Sequence, residues 1–149
     1  MNTSPVTGPD APSASAAVSK RNDALKNLME ASGRVLLAAL FLLSGVGKLG
    51  AYKATAAYMA SDGVPGALLP AVIATELLGS LAIILGWKTR VVAFLLAGFA
   101  VLTALIFHNN FADQTQMIMF LKNISIAGGF LLLAVHGAGP LSVDQRFAR

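Results

Sequence analysis

Cysteine is absent from the 149 residues. The chain therefore carries no thiol–disulfide chemistry of its own and no thiolate ligation of a metal or iron–sulfur cluster. Charge is scarce as well. Charged residues make up 12% of the chain and hydrophobic residues 56%, against roughly 25% charged in a soluble domain. So few charges cannot cover a water-facing surface. No basic stripe alternates with aromatic residues, which excludes a nucleic-acid partner. No phosphate-binding glycine loop, nucleophile elbow, metal-spaced cluster or internal repeat is present.

What the chain does have is four apolar blocks of membrane-span length. Together they predict an all-α, antiparallel up-down four-helix transmembrane bundle. The spans are expected at residues 31–50, 67–87, 91–107 and 117–136. Residues 1–19 are rich in Pro, Ser, Ala and Thr and have almost nothing large and apolar, the composition of a disordered tail. Residues 23–30 read as a short surface helix. The basic residues Lys20, Arg21 and Lys26 come late, and 50–52 is a poor cleavage site, so the first span is expected to stay attached. The division is thus a tail at 1–30, a four-span domain at 31–140 and a second tail at 141–149. Residues 51–64, with Tyr52, Lys53, Tyr58 and Met59, fit an interfacial helix.

The distribution of basic residues sets an orientation. Lys20, Arg21, Lys26, Arg34, Lys88, Arg90, Arg146 and Arg149 share one side, against Lys48, Lys53 and Lys122 on the other. This asymmetry places both termini in the cytoplasm.

Within the spans one residue stands out. Glu76 is the only charge in residues 65–87, about 14 Å below the outer end of its helix. A carboxylate at that depth needs a partner. Only 13 residues separate Arg34 from Lys48 on the first span, too few to keep both cations at opposite surfaces. Helical side chains lean towards the N-terminus. That lean lets Arg34 snorkel to the surface, and it turns Lys48 inwards and Glu76 outwards. Lys48 is therefore the expected partner of Glu76, with Lys122 second. Lys48, Glu76, His108, Lys122 and Asn123 form the candidate pocket in the outer half. Small residues accompany the charges (Ser44 four before Lys48, Ser80 four after Glu76), as close packing in lipid requires. A buried Glu–Lys pair also fits a purely structural tether, and His108 and His136 fit interfacial positions. The two histidines are expected on opposite sides of the bilayer, where they cannot ligate one metal or haem.

Several stretches together resemble the DoxX family of small bacterial four-helix membrane proteins. They are Gly33-Arg34, FLLSGVGKL at 41–49, Gly63-Val64-Pro65, ELLG at 76–79 with Leu85-Gly86, Phe107-His108, FLKN at 120–123 with Gly128-Gly129, and GAGPLSVD at 137–144. The resemblance spans roughly 33–144. It implies a bacterial cytoplasmic-membrane protein acting as a subunit or accessory of a quinone-linked redox system. No cofactor would be bound covalently, and quinone would be the candidate ligand. The family offers no catalytic set to carry over. An oxidoreductase subunit of this kind is not a complete enzyme, since nothing in the sequence supplies an electron carrier. A redox partner protein is implied besides the lipid bilayer. A homo-oligomer is a further partner expectation. A non-enzymatic assembly scaffold with a structural Glu–Lys pair, and after it a small-molecule permease, are the alternative functions.

Overall fold

The computed structural model describes residues 14–147, and the side chains from residue 15 onwards. Six α-helices follow one another: α1 (Ala14–Gly50), α2 (Tyr52–Ser61), α3 (Leu69–Leu85), α4 (Thr89–Phe107), α5 (Gln114–His136) and α6 (Val143–Phe147). Among the described residues α1, α3, α4 and α5 are long and apolar enough to cross a membrane. They form the expected all-α up-down bundle.

The four spans pack as two close pairs, α1 with α3 and α4 with α5. α4 also lies against α3, whereas α1 and α5 touch sparingly. α4 can approach its neighbours because its buried face is small. Ala93, Ala97, Ala100 and Ala104 are all buried, at helical spacing. Phe41 and Phe130 fill the centre edge to face, with ring centroids 5.4 Å apart. Leu96 and Ile83 complete the same core. Most large apolar side chains elsewhere on the spans face outwards, as a helix solvated by lipid requires.

Helix ends depart from the sequence expectation for local reasons. α5 begins at Gln114 because the Asp113 carboxylate accepts the N–H groups of Thr115 and Gln116 at 2.7 and 3.1 Å. α3 closes at Gly86, whose φ of 71° lets the Trp87 N–H donate back to Ala82 O at 2.8 Å. Residues 14–19, read as disordered tail, are helical, and residues 23–30 are helical as expected. The helix runs from Ala14 into the first span without a break, while residues 1–13 lie outside the described residues. Nothing between Ala14 and the span is Pro or Gly before Gly33, so an established helix propagates easily through these residues. Lys26 and Glu30 add an i, i+4 pair at 3.9 Å.

The stretch 51–64 does contain a helix, α2. Met59 turns inwards and packs with Leu69 and Ile73. α2 therefore covers one end of the bundle, where α1 and α4 finish and α3 and α5 start. The start of α1 and the short helix α6 lie towards the other end.

Candidate functional site

At the α2 end, between the two helix pairs, lies a cavity of about 390 Å³. Its walls are mainly apolar, with Leu40, Phe41, Phe99, Leu102 and Ile106 among them. Lys48, Glu76, His108, Lys122 and Asn123 all line it.

The acid has the partner that helix lean favours. Lys48 Nζ donates to both Glu76 oxygens at 2.9 Å and to Ser44 Oγ at 2.6 Å. Ser44 Oγ in turn donates to Glu76 Oε1 at 3.2 Å. All three ammonium protons are thus directed at Ser44 and Glu76. The Glu76 side chain is 7% exposed and that of Lys48 23%. Close approach of α1 to α3 makes this geometry possible. A Cβ on Gly45 would stand 2.8 Å from Leu77 Cδ2 and 3.2 Å from Glu76 Cβ. Lys122 does not reach the acid. Its Nζ meets the Met119 sulfur at 3.1 Å. Asn123 Nδ2 donates to Met119 O at 3.1 Å.

His108 Nδ1 is 2.8 Å from Gln116 Oε1. With the amide oxygen accepting, Nε2 is left as a proton acceptor. Gln116 escaped the sequence reading because the pair closes across a loop with no motif. Tyr58 also lines the cavity and stacks on Phe107 at 5.6 Å. Burial, and then the neighbouring Asp62 carboxylate, push its phenol above the usual range.

The other end of the bundle holds a second polar cluster. Arg34 does not snorkel into solvent. It is 3% exposed and donates through Nη2 to Leu141 O. The reason is that residues 137–147 fold back over the end of the bundle and cover it. Asp144 then caps α4 from a distance, accepting the Lys88 and Thr89 N–H groups at 2.6 and 2.8 Å. The Asp144 N–H donates to Gly86 O at 2.8 Å. Gly86 has no room for a side chain, since a Cβ would run into the Arg34 guanidinium and Ser142. Burial alone would raise the Asp144 pKa. The hydrogen bonds from Thr89 and Lys88 and the charge of Arg34 outweigh it and hold the carboxyl below its usual range. The S-x-x-Q pattern at 142–145, a helix-start signal, would have marked this segment as structured.

Among the described residues no three His, Asp or Glu side chains gather as a metal site. Four spans packed around a mainly apolar cavity define a multi-pass membrane protein. The chain belongs to the DoxX family, whose model matches residues 31–109. That stretch includes Lys48, Glu76 and His108 and ends before Lys122 and Asn123. Inner membrane protein YqjF of Escherichia coli K12 is 49% identical over 112 residues, covering 75% of this chain and 86% of that protein. Inner membrane protein YphA of the same organism is 40% identical over 121 residues, covering 76% and 86%. No solved structure matches the chain.

Proposed function

We propose that this DoxX protein is a subunit of a quinone-linked redox system in the bacterial inner membrane, and that the cavity at the α2 end holds the ligand's headgroup. The membrane assignment follows the description of its relatives. The excess of basic residues at the opposite end puts both termini in the cytoplasm and the cavity in the outer half. One observation carries the reading: a mainly apolar chamber of ligand size is lined by Lys48, Glu76, His108, Lys122 and Asn123. Such a combination is typical of small-molecule sites.

The residues fit a quinone. The apolar wall suits the ring and tail, and Lys122 and Asn123 are donors for carbonyl oxygens. Nε2 of His108 and the Glu76 carboxylate are the groups able to take and release protons. Lys48 acts through Glu76 by balancing its charge. A quinone held there would supply the electron acceptance, and a partner protein would supply the electrons. The test is solvent extraction of protein purified from native membranes, followed by mass spectrometry for quinone and a thermal-shift titration with a neutral quinone analogue. Retained quinone and a saturable rise in Tm are expected. Neither would remain if the cavity were only a packing defect.

A scaffold is the second reading, favoured by the complete use of the Lys48 protons in joining α1 to α3. The double variant Lys48→Glu with Glu76→Lys separates the two. A tether recovers both stability and cellular function in the swap. A ligand site recovers stability and still fails to bind the analogue.

A further inference from the structure

The charges around the cavity do not balance. Its lining residues include two cations, Lys48 and Lys122, and a single acid, Glu76. Lys48 and Glu76 cancel each other at 2.9 Å. Lys122 is left over. Among the described residues the ion pairs are Lys26–Glu30 and Lys48–Glu76, so no carboxylate meets Lys122. Its one hydrogen-bond partner there is a thioether, a weak acceptor for an ammonium. Lys122 also lies about 12 Å along α5 from Gln114, within the stretch suited to the bilayer.

The other acidic side chains at this end of the bundle, and its histidine, are engaged elsewhere. Asp113 is bound to the first N–H groups of α5. Asp62 faces Tyr58. His108 is held by Gln116. The cavity therefore presents one uncompensated positive charge beside an apolar chamber. A charge so placed is expensive unless something answers it.

We propose that the missing counter-charge belongs to the ligand. The cavity then selects an apolar single-chain or ring molecule bearing one anionic oxygen head, a carboxylate or an ionised hydroxyl, seated on Lys122 and Asn123. This rests on the reading of the cavity as a ligand site and narrows it. An ionised hydroxyquinone would satisfy both statements; a neutral quinone satisfies only the earlier one. Selectivity comes from a charge-assisted hydrogen bond, about twice as strong as its neutral counterpart, made by a lysine that is itself exposed.

The experiment is a thermal-shift titration of the full chain in a neutral detergent, at a pH well above the carboxylate range. Decanoate, decanol and decyltrimethylammonium are compared below their micellar concentrations. Decanoate is expected to bind at least about tenfold more tightly than decanol, with the cation weakest. Lys122→Gln should abolish the preference of decanoate over decanol. Lys122→Arg should keep it, and so should Lys53→Gln, which removes a cation away from the cavity. Thr103→Phe, filling the chamber from α4, should block decanoate. If decanoate still binds that variant, or if anionic phospholipid reproduces the effect, Lys122 serves a lipid headgroup at the surface and the proposal falls. Equal responses to decanoate, decanol and the neutral quinone analogue would overturn charge selection alone. No response to any of them would remove the ligand site itself.

Discussion

At the scale of single residues, Glu76 and Lys48 decide whether an ionic pair in a membrane bundle is tolerable. Each oxygen of the carboxylate receives an ammonium proton at 2.9 Å, and Ser44 bridges the two side chains. Removing both charges together would change little, because desolvation offsets much of their attraction. Removing one is different. In Glu76→Gln the lysine keeps only an amide and a hydroxyl, and the unfolding free energy should fall by about 3 kcal/mol, the lower end for a broken buried pair. The low end applies because Lys48 retains 23% exposure. Denaturant titration in detergent measures the loss, and the charge-swapped double variant should recover at least half of it. Glu76 and Lys48 could be matched from sequence because each leans a known way on a helix of known direction. The burial of Arg34 could not, since its cover comes from Leu141, 107 residues away.

At the scale of elements, two devices hold helices together. α1 meets α3 through Gly45, where a Cβ would press on Leu77 and Glu76. Gly45→Val should lower stability by about 1–3 kcal/mol through overpacking. It should also weaken the ion pair, visible as a smaller additional loss when combined with Glu76→Gln than either variant alone would suggest. The second device is the cap that Asp144 places on α4. Asp144→Ala should cost about 1 kcal/mol. The folded state holds this carboxyl below its usual range, so its contribution is complete above the unfolded value of about 3.9 and disappears as pH falls through the lower folded value. The wild type should therefore lose stability on acidification below that unfolded value. Asp144→Asn, which keeps an acceptor but cannot titrate, should show a flatter profile over the same window. Thermal unfolding across acidic buffers provides the comparison. The start of α4 at Thr89 rather than at Val91 reflects the same contact. A cap donated from the far end of the chain leaves no mark on the local sequence.

At the scale of the whole molecule, the two helix pairs are strapped together at the end where residues 137–147 lie, and they part around the cavity at the other. Orientation in the bilayer is the property that assigns these ends to compartments. The absence of cysteine makes the natural chain a ready background for labelling. Ser61→Cys, on α2, should react with a membrane-impermeant maleimide in intact spheroplasts. Gln145→Cys should react only after lysis. The reverse pattern would place the cavity on the cytoplasmic side.

Sequence by itself determined the helical class, the number of spans and the Glu76–Lys48 match. These depend on apolar length and on side-chain direction along a helix, both local properties. Tertiary structure alone decided that Gln116 holds His108, that Lys122 has no acid to meet among the described residues, and that residues 137–147 cover Arg34. Those outcomes depend on how separate helices are placed against each other, and interhelical packing sums many weak contacts spread over distant parts of the chain.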